Sequence, residues 1–218
     1  RGEAFKKMTY LNLGKYETMD YIEAAKYFGA QSYVDASRIG VFGWSYGGFM
    51  ASNCITKGAE VFKTAVAVAP VTNWRYYDNI YTERYMRTPQ ENAAGYDDNS
   101  PINHVDKIKG KYLLIHGTAD ETVPYNGNGF MEAIPNVISY WVDFNNCSAT
   151  PQITDVPNVN VVDGCTAVHS LYSGGDNGVD VEHYQVIDGG HTWPGSFFTI
   201  GVTNNDFNAS EKIWQFFM

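Results

Sequence analysis

The stretch Gly43-Trp44-Ser45-Tyr46-Gly47 limits the fold of this chain more than any other part of it. A β-rich run precedes it at residues 37–44, and a helical pattern follows at 46–56. Gly-x-Ser-x-Gly at a strand-to-helix turn raises the serine hydroxyl above the sheet edge, because larger side chains at the glycine positions would collide with nearby backbone. The helix start beneath it presents N–H groups to an oxyanion. Ser45 is therefore the candidate nucleophile, and a plain glycine-rich turn is the alternative.

The rest of the chain alternates between predicted strands and predicted helices, which indicates an α/β fold with a mainly parallel sheet flanked by helices. Further strands are predicted at residues 62–70, 111–116 and 181–187, and helices at 18–28, 130–144 and 209–217. We treat 1–218 as a single catalytic domain, with a Tyr-rich, cap-like segment at 71–99 and a long, mostly irregular polar excursion at 145–180.

The candidate acid and base each follow a predicted strand. Asp120 lies on the loop after residues 111–116, and His191 follows two glycines after residues 181–187. Carboxyl ends of parallel strands are where α/β sheets place their sites, and the order Ser, acid, His is typical of this turn. Asp120 would hold the imidazole tautomer, and His191 would accept the Ser45 proton.

Other acidic and imidazole groups are weaker candidates. The side chain of Glu121 should point away from that of Asp120, and His116 fits a structural hydrogen bond. His183 alternates within a predicted strand, while His104 and His169 lie in loops without a recognisable partner.

Composition excludes several classes of protein. The chain has a net charge of −9 and lacks the excess of basic residues that binding to nucleic acid or anionic lipid requires. No apolar run is long enough to span a membrane. Cys54 fits a small core residue, whereas Cys147 and Cys165 are compatible with either a disulfide or two free thiols. We find no metal-binding motif, and no metal or organic cofactor is predicted.

Residues 1 to about 124 resemble the catalytic domain of the prolyl oligopeptidase family, in its dipeptidyl peptidase IV branch. The matching stretches are GWSYGG at Gly43–Gly48, AVAPVTNW at Ala67–Trp74, YYDNIYTERYM at Tyr76–Met86 and YLLIHGTAD at Tyr112–Asp120. The resemblance implies that the backbone N–H of Tyr46 contacts the oxyanion. It also implies that Trp74, Tyr77 and Tyr81 line an apolar substrate pocket. Thr122 departs from the family, which has Asn there, and a Tyr-rich cap that merely packs is the alternative.

Residues from about 123 to 218 are instead similar to secreted esterases of the polyhydroxybutyrate depolymerase and feruloyl esterase type. The stretches that carry this similarity are VPYNGNGF, SYWVDFNNC, DNGVDVEHYQVIDGGHTWPG and NDFNASEKIWQFF. The chain therefore resembles a chimera of two α/β-hydrolases. Trp193, within the second similarity, would extend the aromatic wall.

These resemblances lead to three hypotheses. A carboxylesterase acting on short acyl, aryl or polyester substrates ranks first, because activated esters need less oxyanion stabilisation than amides. A post-proline dipeptidyl peptidase and an inactive fold fragment are the alternatives. Only four strands are predicted, so we expect earlier strands to be missing and the strand before Ser45 to have an open edge, through which the chain could form a homo-oligomer. The first residues, Arg1-Gly2-Glu3, do not resemble a signal peptide, and from both resemblances we expect a secreted or periplasmic bacterial protein.

Overall fold

Six strands form one mixed sheet in the computed structural model, which describes residues 2–128, 131–197 and 201–218. Their order across the sheet is β1-β2-β3-β6-β5-β4. The strands are β1 (Gly40–Trp44), β2 (Thr64–Val68), β3 (Lys111–Gly117), β4 (Gln152–Val156), β5 (Thr166–Tyr172) and β6 (Val181–Ile187). The pairs β1–β2, β2–β3 and β3–β6 are parallel, whereas β5 runs antiparallel to β6 and to β4. The α/β architecture predicted from the sequence is present.

Helices cover both faces of this sheet. They are α1 (Gly2–Lys6), α2 (Lys15–Gly29), α3 (Tyr46–Lys57), α4 (Asn79–Met86), α5 (Ala93–Asn99), α6 (Ile134–Phe144) and α7 (Ala209–Phe217). On one face, α3 and α6 pack against alternate residues of β2 and β3, such as Ala65 and Leu114. On the other, α7 packs against Val66 and Ile115. This alternation explains why β2 and β3 are continuous apolar runs in the sequence.

The parallel strands place their carboxyl ends at one edge of the sheet, where β1 ends just before Ser45. The strand β3 leads to Asp120, and β6 leads to His191. Within the described residues β1 is an edge strand, paired with β2 alone, and its Phe42 side chain is 58% exposed.

The segment 145–180 differs from its predicted irregular structure, because it contains β4 and β5. Four of the five β4 residues are exposed, so this strand lacks the apolar alternation by which strands are recognised. Of the two alternatives left open for Cys147 and Cys165, the structure shows two free thiols. The helix predicted at 130–144 begins at Ile134, with Pro135 in its first turn, where a missing N–H costs nothing. Residue 130 lies outside the described residues.

Candidate active site

Ser45 occupies a strained turn between β1 and α3. Its φ of 56° and ψ of −115° lie outside the regions that L-residues favour. Such a conformation costs about 1–3 kcal/mol and persists where the surroundings enforce it. The Ser45 N–H donates to the Val68 carbonyl at 2.8 Å, which fixes the turn to the end of β2. The helix begins at Tyr46, so the Tyr46 N–H is one of the donors that a helix start leaves unpaired.

The two glycines that flank this turn are not equivalent. A Cβ at Gly43 would lie 2.3 Å from the carbonyl carbon and the carbonyl oxygen of Gly47, whereas a Cβ at Gly47 would have no atom within 4 Å. Position 43 therefore requires glycine, because the backbone of Gly47 lies too close for any side chain there. At Gly47, no such steric requirement exists.

The acid and base candidates are in direct contact. His191 Nδ1 donates to Asp120 Oδ2 at 2.8 Å. The other carboxylate oxygen, Oδ1, accepts the N–H groups of Thr122 at 2.9 Å and Val123 at 2.7 Å. The Asp120 side chain is fully buried, and His191 is mostly so. With its Nδ1 committed to Asp120, the neutral imidazole has Nε2 left to accept a proton.

Asp120 is kept ionised by its hydrogen bonds. Burial alone would raise its pKa, but the bonds from His116, His191 and the Val123 N–H outweigh burial and hold the pKa well below its usual range. A buried carboxylate that stays charged can orient an imidazole and stabilise the imidazolium that forms on proton transfer.

His191 lies beside the serine turn. The Trp44 ring, immediately before Ser45, packs on the His191 ring with centroids 5.4 Å apart and planes at 34°. Among the described residues Ser45 Oγ has no hydrogen-bond partner. In unliganded sites the hydrogen bond between a nucleophile and its base is often long, and it tightens only when substrate is bound.

His116 is a second imidazole at the carboxylate, a contact that the sequence did not reveal. Its Nε2 donates to the Val123 carbonyl at 2.8 Å and lies 3.4 Å from Asp120 Oδ2. The ring is completely buried, and its Nδ1 has no partner among the described residues. The expected structural role for His116 is consistent with these bonds, which support the loop that carries Asp120.

A buried aromatic cluster adjoins the turn on its α3 side. Trp74 is 2% exposed and stacks on Tyr81 with ring centroids 5.7 Å apart, while Tyr77 meets both rings edge-on. Tyr46 joins the cluster through Trp74, with centroids 5.7 Å apart. The cluster is completed by residues that sequence reasoning missed, namely Leu13, Phe49, Met50, Val71, Met86, Tyr96 and Val123.

Trp193 does not belong to this cluster. Its ring contacts Phe42, with centroids 6.3 Å apart, and its indole N–H donates to Ser210 Oγ at 3.2 Å. It packs against the α7 face of the sheet. The aromatic side chain beside His191 is Trp44, whose position next to Ser45 in the sequence was the available signal.

An open cleft of about 390 Å³ adjoins His191. Its described lining is Ala119, Glu121, Thr122, Gly190, His191, Gly201 and Val202. The small residues leave room for a substrate beside the imidazole. Within residues 2–128, 131–197 and 201–218, no group of three or more His, Cys, Asp or Glu side chains is arranged to hold a metal ion. No helix in the same ranges is long and apolar enough to cross a membrane.

Comparison with known protein families matches residues 1–131, more than half of the chain, to the model of the prolyl oligopeptidase family, peptidase family S9. The chain belongs to the prolyl oligopeptidase family. The N-terminal resemblance found in the sequence is therefore confirmed.

Its relatives within the prolyl oligopeptidase family are much longer proteins. A probable dipeptidyl-aminopeptidase B of Paracoccidioides brasiliensis is 50% identical over 139 residues, which are 61% of this chain and 15% of that protein. Porphyromonas gingivalis dipeptidyl peptidase 4 has a TM-score of 0.61 and 42% identity over 66% of this chain and 20% of its own.

A putative dipeptidyl aminopeptidase IV from Bacteroides ovatus matches the whole chain. It has a TM-score of 0.71 and 27% identity, covering 100% of this chain and 24% of its own. One solved structure thus matches the fold of both halves. The comparisons give no support to an esterase origin of residues 123–218 or to a chimera.

Proposed function

We propose that this chain carries the catalytic centre of a serine peptidase that releases dipeptides from the amino end of peptides, after a small apolar residue such as proline. Ser45 would attack the carbonyl, His191 would take the serine proton and pass it to the leaving amine, and Asp120 would hold the imidazole. The Tyr46 N–H would stabilise the oxyanion. The printed names of the relatives, dipeptidyl-aminopeptidase B and dipeptidyl peptidase 4, support the peptide substrate.

The observation that carries this proposal is the aromatic cluster beside Ser45. Tyr46 follows the nucleophile directly, and its ring packs on Trp74, which in turn contacts Tyr77 and Tyr81. Tyr77 and Tyr81 are half-buried, so they present ring faces at the rim of the cluster. A rigid apolar ring such as that of proline buries its surface well against such faces.

A carboxylesterase is the second candidate, since the family match ends at residue 131 and does not include His191. Thr122 in place of the family's Asn is the residue that favours it, because the substitution weakens the inference of peptide binding. A secreted or periplasmic location and assembly through the edge of β1 remain predictions.

The deciding experiment compares hydrolysis of glycyl-prolyl p-nitroanilide and p-nitrophenyl butyrate, with Ser45→Ala as the blank. The proposal predicts anilide turnover that Ser45→Ala abolishes. Tyr81→Ala should raise KM for the anilide, because it removes a face of the aromatic wall, whereas Trp193→Ala is the matched control that should leave KM unchanged. Ester turnover without anilide turnover would favour the esterase. Silence on both substrates would contradict both functions.

A further inference from the structure

A carboxylate outside the Ser45, Asp120 and His191 group is hydrogen-bonded to the residue after the nucleophile. Glu17 lies in the first turn of α2, and its Oε1 accepts the phenol O–H of Tyr46 at 2.7 Å. The other oxygen, Oε2, accepts the Gly14 N–H at 3.2 Å. Glu17 thereby joins the start of α2 to the start of α3 across 29 positions of sequence.

The start of α2 is itself held rigidly against α3. A Cβ at Gly14 would lie 2.5 Å from the Phe49 ring, so the backbone of this turn rests directly on that ring. Gly14 has a φ of 87°, and its carbonyl accepts the hydroxyl of the buried Thr18. Phe49 in turn packs on the Tyr46 ring, with centroids 5.3 Å apart. These contacts therefore hold the start of α2, which carries the Glu17 carboxylate, against α3.

Tyr46 is constrained at both ends by this arrangement. Its phenol is hydrogen-bonded to Glu17, and its ring packs against both Phe49 and Trp74, which also contact each other. Its backbone N–H adjoins the strained Ser45 turn. The phenol is protonated at neutral pH and donates to Glu17, and burial together with the Glu17 charge raises the pKa of Tyr46 further above its ordinary value.

We infer that Glu17 is a positioning residue, which holds the Tyr46 side chain so that the Tyr46 N–H points at the oxyanion formed on Ser45. This inference rests on the proposed function. Strain at a functional turn persists only where neighbouring groups enforce it, and oxyanion donors are effective only when they are oriented before the reaction. A charge-assisted hydrogen bond to a neighbouring phenol provides that constraint.

The test is the reaction of Ser45 with a fluorophosphonate–rhodamine probe, which needs oxyanion stabilisation but no peptide specificity. The rate constant kinact and the binding constant KI are measured separately on the whole 218-residue chain. We expect Glu17→Ala and Tyr46→Phe each to lower kinact about 10-fold with little change in KI, which is about 1.4 kcal/mol and is typical of one hydrogen bond to a charged group. Glu17→Gln, which keeps an acceptor oxygen, should recover part of the loss.

Two controls separate positioning from general stability. The double variant Glu17→Ala/Tyr46→Phe should react no more slowly than either single variant, because both remove the same bond. Glu23→Ala, on the exposed side of α2, removes only a surface ion pair with Lys26 and should react like the wild type. Thermal melting of each variant accompanies the rates.

A lower melting temperature with unchanged kinact in Glu17→Ala would overturn the inference, as Glu17 would then only fasten α2 to α3. Additive losses, or losses confined to KI, would also overturn it. If the wild type reacts no faster than Ser45→Ala, the proposed function itself fails, and the inference fails with it. That outcome is recognised in the wild type alone, before any Glu17 variant is compared.

Discussion

Replacing Gly43 with alanine tests whether close backbone packing shapes the serine turn. The added Cβ would lie 2.3 Å from two backbone atoms of Gly47. Non-bonded carbon atoms pack at about 3.5–4.0 Å, so the turn must open by about 1 Å or more. No side-chain rotation can relieve the clash, because both contacted atoms belong to the backbone. The displacement therefore falls on Ser45 and Tyr46, which lie between the two glycines.

The expected effect is large on reactivity and moderate on stability. Overpacking of this kind costs about 1–3 kcal/mol, which lowers the melting temperature of a chain of this size by roughly 2–12 °C. A displacement of about 1 Å at a reacting group costs about 100-fold in rate. We therefore expect the Gly43→Ala chain to fold and to react with the fluorophosphonate probe at Ser45 about 100-fold more slowly.

Gly47→Ala is the matched control within the same motif. Nothing lies within 4 Å of the added Cβ, so no atom must move. Alanine is also favoured over glycine in a helix, and the melting temperature should stay unchanged or rise slightly. Equal labelling rates in Gly43→Ala and Gly47→Ala would refute the steric explanation of this turn.

Two further predictions concern acid stability. Because the pKa of Asp120 is lower in the folded chain than in the unfolded chain, its carboxylate stabilises the fold above about pH 5, and this contribution is lost as the pH falls below about 4. Between pH 6 and pH 3, the melting temperature of Asp120→Asn should therefore fall less steeply than that of the wild type. A parallel decline in the two proteins would contradict this explanation. The same substitution should lower kcat by about 10⁴-fold. Burial lowers the pKa of His183 from 6.5 to about 3. This histidine therefore binds a proton at a higher pH in the unfolded chain than in the folded chain. The free energy of unfolding falls as the pH drops from about 6.5 towards 3. The Tyr125 phenol donates a hydrogen bond to His183 Nε2 at 3.0 Å. The double variant His183→Leu/Tyr125→Phe removes both partners of this bond, and its urea midpoint should change less between pH 7 and 4 than that of the wild type.

The sequence predicts the parts of the site that depend on strand ends. Ser45, Asp120 and His191 each follow a β-rich run, and the topology of a parallel sheet brings such ends together. The paired contact of Asp120 and His191 is consistent with that expectation. The mainly parallel sheet was predictable for the same reason.

The parts that escape prediction depend on tertiary contacts between distant segments. Glu17 reads as an ordinary surface residue of an amphipathic helix, and only the packing of Gly14 on Phe49 brings its carboxylate to Tyr46. The strand β4 is exposed at the sheet edge, so no hydrophobic pattern marks it. The sequence also does not show that the Trp193 ring contacts Phe42 rather than extending the aromatic wall.

The position of β1 has a consequence for how this chain loses reactivity. The nucleophile follows the outermost parallel strand, whereas Asp120 and His191 follow β3 and β6 in the interior of the sheet. Edge strands paired on one side open in local fluctuations that leave interior strands intact. Opening of β1 would carry Ser45 away from an acid–base pair that remains assembled. Reactivity of the serine would therefore report on the opening of this edge strand, and amide exchange along β1 would measure the timescale on which it opens and closes.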